Sequence, residues 1–427
     1  MKIFFALLAV LSVWNVHAQK IFDVRDYGAK GDGVAQDTAA IQTALDECGN
    51  AGGGIVRFPA GVYLSRPIVL HSATTVELDA GATLLATTNQ SDFMKTPGDW
   101  LKARSSDFVP FISGKDLTDV CFTGGGTIDG SGAVWWGEAE KARRSVSGYT
   151  LPRPNLVVLE RCQRVRMENV TLQNSPKFHF VPDECEDVVV SNVTILAPEH
   201  AANTDGIDPS ACKDVLITKC HIDNGDDNVA IKAGHKVAGR EFASEDITVT
   251  DCIFLHGHGM SIGSETLGGV RNVTVKDCVF CGTENGIRIK SQRGKGGLVE
   301  DIHYEDIQMT NVDPAVTFTC YYTFNSAKDP AQKAVPQNDS AQAVTEGTPV
   351  FRNISVSHLT ATCQRGAGII IGLPESMISN VIFKDVKISA VSGMEIKNAT
   401  GIQMENVRVT ADKGEPFILR NAQVTGL

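Results

Sequence analysis

Between Val165 and Val409 one eight-residue phrase returns nine times. It reads VRMENVTL from Val165, VVVSNVTI from Val188, VLITKCHI from Val215 and ITVTDCIF from Ile247. It continues as VTVKDCVF from Val273, IHYEDIQM from Ile302, ISVSHLTA from Ile354, VIFKDVKI from Val381 and IQMENVRV from Ile402. Within each phrase apolar, often β-branched, residues alternate with polar ones, the period of two expected of a strand with one buried face. Apart from one gap of 52, successive phrases start 21 to 32 residues apart. The fifth position holds Asn169, Asn192, Lys219, Asp251, Asp277, Asp306, His358, Asp385 and Asn406, so seven of nine are Asn or Asp. These side chains tolerate left-handed backbone and bond locally, which suits a sharp bend between two short strands. The sixth position is apolar or Cys throughout, including Val170, Cys220, Cys252, Cys278 and Ile307, and predicts an inward-facing column.

Short strands repeating at this period, with few helical stretches, describe an all-β solenoid, a parallel β-helix. A β-propeller repeats at a longer and steadier period, about 40–45 residues. Variable spacing is absorbed by loops between coils, so the solenoid is preferred. An open solenoid end exposes a strand edge and needs a cover. Asp37-Thr38 followed by Ile41, Ala44, Leu45 and Cys48 predicts a short amphipathic capping helix with Asp37 as N-cap. Three stretches interrupt the rhythm, 89–112, 131–155 and 321–350, and are expected to wall a groove.

Length alone, 427 residues, would suggest two or three domains. The repeat overrules that prior, and one domain over 19–427 is expected. Forty glycines and few aromatics agree with a turn-rich β protein. The first 18 residues read as an export leader: Met1 and Lys2, an apolar run from Ile3 to Trp14, then Val16-His17-Ala18 before Gln19. A membrane anchor needs roughly 20 apolar residues, more than this run supplies. No cysteine follows the run to carry a lipid. The expected location is periplasmic or extracellular. Eleven cysteines are too many and too irregular for a stapled scaffold, and no paired CxxC zinc pattern occurs; Cys278 and Cys281 form a lone one. Cys220, Cys252 and Cys278 are instead expected to be buried small hydrophobes.

A net charge of −11 disfavours nucleic acid as a partner. It also repels an acidic polymer, unless a local basic patch exists. Polar clusters crowd from Asn203 to Lys290: Asn203-Thr204-Asp205, Gly225-Asp226-Asp227, Gly257-His258-Gly259 and Arg288-Ile289-Lys290. Asp205 and Asp226 are 21 residues apart, about one coil, so stacking brings the clusters into line on one face. An isolated Asp-Asp is most often a hydrophilic turn. In register with three other clusters, it suits hydrolysis of a linear polysaccharide, which needs a proton donor for the leaving oxygen and a base for water. Close carboxylates cannot all ionise easily, so one is expected to keep its proton. Arg288, Lys290, Arg293 and Lys295 form a local basic run, a candidate site for substrate carboxylates. His256 and His258 would make half a metal site, but no third ligand stands at metal-binding spacing.

With these four motifs in this order, the chain resembles the polygalacturonase family, glycoside hydrolase family 28. The likeness extends to FDVRDYGAKGDG at Phe22–Gly33 and GTIDGSG at Gly126–Gly132. It implies a right-handed parallel β-helix that hydrolyses α-1,4 galacturonosidic bonds with inversion and without metal or other cofactor. Asp226 would be the general acid, and Asp205 and Asp227 would hold and deprotonate water. His258 would tune the acid; Asn203, Arg288, Lys290 and a downstream tyrosine would bind substrate. Tyr321 is the first choice for that tyrosine and Tyr322 its rival, because the family's Gln is missing from PAVTFTCY at Pro314–Tyr321. The expected partner is a galacturonan or its oligosaccharides, met by a monomer with no membrane anchor, and end-on action is slightly preferred. Two alternatives stay open. One is a calcium-dependent pectate lyase using Asp223, Asp226 and Asp227; the other is a non-catalytic binding solenoid.

Overall fold

The computed structural model describes residues 20–427 apart from 97, 146–150, 236–241 and 323–338. The leader at 1–18 and parts of the insertions at 131–155 and 321–350 therefore lie outside the described residues. The repeated phrases stack as parallel strands, pairing Val165 with Val188, Val215, Ile247, Val273, Ile302, Ile354 and Val381 in succession. The chain is a parallel β-helix.

Left-handed backbone sets the shape of each coil. All nine fifth-position residues have φ between 52° and 58°, including Lys219 and His358, which pay a steric penalty that Asn and Asp largely avoid. A second left-handed column, not foreseen, runs through the residue just before each phrase: Arg164, Asp187, Asp214, Asp246, Asn272, Asp301, Asn353, Asn380 and Gly401. Two bends five residues apart fold each phrase around the core. Side-chain amides then bond from coil to coil, Asn192 to Asn169 at 2.8 Å, Asn380 to Asn353 at 2.8 Å and Asn353 to Asp301 at 3.0 Å. The sixth-position column points inward; Cys220, Cys252 and Cys278 are buried and unpaired, as expected of small hydrophobes. Lys219 is the poorest fit to its bend. Lys219→Asn is expected to raise stability by up to about 1 kcal/mol, read as a higher Tm with no change in activity.

Helix α1, Thr38–Asn50, covers the first coil with Ile41, Ala44, Leu45 and Cys48, all fully buried. Asp37 does not cap it through its side chain. Its buried carboxylate instead accepts from the backbone N–H groups of Lys30 and Gly31 at 2.7 and 3.0 Å, tying down the preceding loop. The insertion at 131–155 holds a second helix that the sequence pattern did not indicate, α2, Ala133–Ser145. Its Trp135 is buried among Phe93, Trp100 and Phe108, with ring centroids 5.7, 4.9 and 6.0 Å away. The insertion at 89–112 thus packs on the one at 131–155 through aromatic rings.

Candidate active site

On one face of the stack Phe180, Ile207, Val229, Met260, Ile287 and Val316 follow one another in register, each buried. Each of the first three acidic or histidine motifs lies just before its coil's inward residue: Asn203–Asp205 before Ile207, Asp226–Asp227 before Val229, His258 before Met260. Arg288 and Lys290 alternate with inward Ile287 and Ile289 on the strand Ile287–Lys290. The motifs therefore form the line that their spacing predicts.

Two buried amides hold the motifs to one another. Asn224 donates to the carbonyls of Thr204 and Asp227 at 2.8 and 2.9 Å. Asn228 donates to His256 O at 2.8 Å and accepts from Gly259 N at 2.9 Å. Between them, Gly257 has φ 106°, and a Cβ there would fall 2.3 Å from Asn224 Oδ1 and 2.4 Å from Asp226 O. Only glycine permits that approach. Sequence reasoning missed Asn224, although buried Asn beside a motif is a signal that it bridges backbones.

The three aspartates are not equivalent. Asp227 is buried, with Oδ1 facing Ser261 at 3.0 Å and Arg288, and Oδ2 2.6 Å from Lys290 Nζ. Burial would raise its carboxyl, but Arg288 and Lys290 hold it below the usual range, so it is ionised. Asp226 is the most exposed of the three, at 19% against 6% for Asp205 and 2% for Asp227. Its Oδ1 lies 3.0 Å from His258 Nδ1, while His258 Nε2 lies 3.1 Å from Glu284. Against burial, Asp226 pushes the His258 ring up to about 10, and His258 in turn draws the Asp226 carboxyl down. The pair holds one proton between them. Asn203 Nδ2 stands 3.4 Å from the other Asp226 oxygen.

Of the three carboxyls, the raised one is Asp205. Burial raises it well above the usual value, and neighbouring Asp208 and Asp226 push it further. Asp208 is likewise raised by burial, to about 6. Lys232 lies 3.2 Å from Asp205 Oδ2 and also bonds Asp208. Neither Lys232 nor Asp208 was singled out from the sequence. Both stand in register with the site residues, since Ser210 pairs with Lys232, and Ala230 with Ser261 and Arg288.

The oxygens and nitrogen of Asp226, Asp227 and His258 come within 4.8 Å of one another, close enough to share an ion. Arg288, Lys290 and the His258 proton already balance these carboxylates, so the donor set does not suit a divalent cation. Asp223 stands apart: it takes His256 Nδ1 at 2.8 Å. The two histidines thus serve different acids and do not converge.

The model of glycosyl hydrolases family 28 matches residues 48–339. An endo-polygalacturonase of Pectobacterium carotovorum subsp. carotovorum is 34% identical over 376 residues, covering 85% of this chain and 87% of its own. The chain belongs to glycosyl hydrolases family 28. It is a glycoside hydrolase. A probable polygalacturonase of Vitis vinifera is 33% identical, over 78% of this chain and 73% of that one. Among solved structures, an exopolygalacturonase of Thermotoga maritima superposes with a TM-score of 0.77 at 27% identity, covering 93% of each chain. The polygalacturonase of Erwinia carotovora ssp. carotovora superposes at 0.74 and 32% identity, covering 88% of this chain and 94% of its own.

Within the family 28 frame, two expectations about the substrate-binding residues need correction. The basic run splits after the strand ends at Lys290: Arg293 pairs with Asp339 and Glu375 at 2.7 and 2.6 Å, and Lys295 with Glu265 at 2.9 Å. Of these four basic residues, only Arg288 and Lys290 face the aspartates. Of the two tyrosines, Tyr321 gives its hydroxyl to Asp339 at 2.6 Å and lies beside Arg293. The ring under Lys290 Nζ belongs to Tyr322, 4.9 Å from its centroid.

Proposed function

We propose that this family 28 hydrolase is exported and cleaves the α-1,4 galacturonosidic bonds of polygalacturonate, pectin or their oligomers, inverting the anomeric centre. The observation that carries the reading is the unequal trio: a half-buried carboxyl sharing a proton with histidine, a buried carboxylate kept ionised by two cations, and a third carboxyl, Asp205, raised by burial. The proton that His258 shares with Asp226 passes through Asp226 to the leaving glycosidic oxygen as the C–O bond breaks. Water attacks the anomeric carbon from the other side and passes its proton to Asp227, while Asp205 holds that water. Asp227 then releases the proton it took to solvent, and solvent returns one to the Asp226–His258 pair. Arg288, Lys290 and Tyr322 bind the uronate, the two cations acting on its carboxylate beyond their hold on Asp227. The named activities of the relatives, polygalacturonases of both endo and exo type, support the substrate class.

Action from chain ends is the mode we favour. Trp136 in α2 donates to Ser175 O at 3.1 Å, and Arg153 donates to Pro176 O and Ala202 O at 2.7 and 2.8 Å. The insertion at 131–155 is thereby fixed on the coils beside Asp205, where a wall would shorten the groove. Early release of short products from polygalacturonate, with slow loss of viscosity, is the expected time course; rapid loss of viscosity would mean internal cleavage.

Proton NMR of fresh product should show the inverted anomer first, and excess chelator should leave the rate unchanged. A product absorbing in the ultraviolet would mean elimination, and the lyase reading would replace this one.

A further inference from the structure

Lys177 lies on the coil before Asp205 and was not among the residues singled out from sequence. The two residues before it are held in place, since Ser175 O takes the Trp136 indole at 3.1 Å and Pro176 O takes Arg153 at 2.7 Å. His179 locks the same segment to the next coil through Asp205 O, 3.0 Å from its ring. The Lys177 ammonium makes no hydrogen bond or ion pair among the described residues. It rests over the Phe178 ring, 4.2 Å from the centroid, and Lys232 Nζ approaches that same ring at 4.4 Å.

The charges around it are unbalanced. Lys177, Lys232 and Arg153 gather near Asp205 and Asp208, two carboxyls that burial pushes toward their neutral forms. Lys232 is taken by those acids, and Arg153 by carbonyls and Asn203. Lys177 is left without an ion-pair partner among the described residues, at the end of the site where the insertion stands. Four strand pairings separate its coil from that of Arg288. At about 4.8 Å per pairing this is roughly 19 Å between strand positions, too far for both cations to bind one sugar carboxylate.

We infer that Lys177 is a second anion station, binding the carboxylate of a uronate on the side of the aspartates opposite Arg288 and Lys290. This rests on the galacturonan reading above and adds a residue that reads substrate acidity at another sugar. Burial draws the Lys177 ammonium down to about 8, Asp205 and Asp208 opposing the change and Lys232 and Arg153 reinforcing it. The free enzyme should therefore lose this attraction above about pH 8, well before the Asp226–His258 pair gives up its proton near 10.

The test uses Lys177→Met and Lys177→Arg, with free-acid and fully methyl-esterified trigalacturonate as substrates. On the free acid, Lys177→Met should raise KM at least about tenfold with a much smaller change in kcat, as expected when ground-state binding is lost. Lys177→Arg should restore most of the affinity. On the ester, wild type and Lys177→Met should differ by less than about twofold, because the charge partner is gone. Wild-type kcat/KM should decline above about pH 8, and Lys177→Arg should hold its value there, since guanidinium stays charged. An unchanged KM in Lys177→Met, or the same alkaline decline in Lys177→Arg, overturns the inference. If Lys177→Met fails to fold, the pH comparison of wild type with Lys177→Arg decides. Wild type that hydrolyses galacturonate chains while these Lys177 effects are absent sinks this inference alone; wild type inert on them removes the galacturonan reading and this inference with it.

Discussion

Asp226→Asn should lower kcat by about 10²- to 10⁴-fold in a protein that still folds and binds substrate, the range lost when a general acid is removed. The substitution keeps the shape of the side chain. Its oxygen can still accept from Asp227 N, a bond of 2.9 Å in the wild type. What it removes is the proton delivered as the glycosidic bond breaks, an interaction made only in the transition state, so kcat falls and KM changes little. The same change has a signature in His258. Asp226 is the chief reason that its ring is raised to about 10, so in the variant the ring should titrate well below that, measurable by NMR. The sign for stability follows: a raised histidine stabilises the fold fully below its unfolded value near 6.5, and that support is lost as pH rises through about 10. Wild type should lose this support on the alkaline side, and the variant should show no such loss. Retention of more than about a tenth of wild-type kcat would end the assignment of Asp226 as the acid.

Much of the fold was legible because a solenoid writes its geometry into every coil. Alternation gave the strands, the fifth-position Asn and Asp gave one bend, and the sixth position gave the inward column. The second bend carries an almost equally plain signal, Asp, Asn or Gly directly before eight of the nine phrases, with Arg164 the exception. Helix α2 was hidden for a different reason. Trp135 is its fully buried anchor, and it packs on rings from a separate insertion, so the local apolar pattern was too thin to mark a helix.

The line of the candidate site was legible because four motifs recur at coil spacing. The supporting charges were less so, because charges adjacent in sequence need not share a site. Arg293 and Lys295 look continuous with Lys290, yet the strand ends at Lys290, and acids from residues 339, 375 and 265 draw them elsewhere. Conversely Lys232 and Lys177 stand alone in sequence and meet the aspartates only through strand register. Loop lengths between coils vary too much for spacing to give that register. Which of the three carboxyls would be raised was illegible on the same ground: His258 and Lys290, which draw Asp226 down, come from later coils, and the raised carboxyl is Asp205, which lies deeper.

Lys290→Met is expected to lower kcat/KM on polygalacturonate at least about tenfold near neutral pH, the loss of one charge-assisted contact. Two roles for Lys290 predict different accompaniments. As a counter-ion it helps Arg288 keep buried Asp227 ionised, at 2.6 Å from Oδ2. Removing it lets burial raise the Asp227 carboxyl, so the base is protonated at higher pH and the acid limb of kcat/KM moves upward. Because folding depresses this carboxyl, its pairing stabilises the protein above the unfolded value and is lost as pH falls through the folded one. The variant should therefore be less stable at neutral pH, the difference shrinking in acid. Arg288 and Ser261 still hold the carboxylate, so the cost should stay below the ~3–5 kcal/mol of a fully broken buried pair. As a substrate contact, Lys290 instead distinguishes free-acid from methyl-esterified chains, and that preference should shrink in the variant. Added salt should then weaken wild type more than the variant, since screening acts on an attraction the variant has lost. An upward shift of the acid limb with undiminished preference for free-acid chains would make Lys290 a counter-ion alone, and substrate acidity would have to be read at another cation.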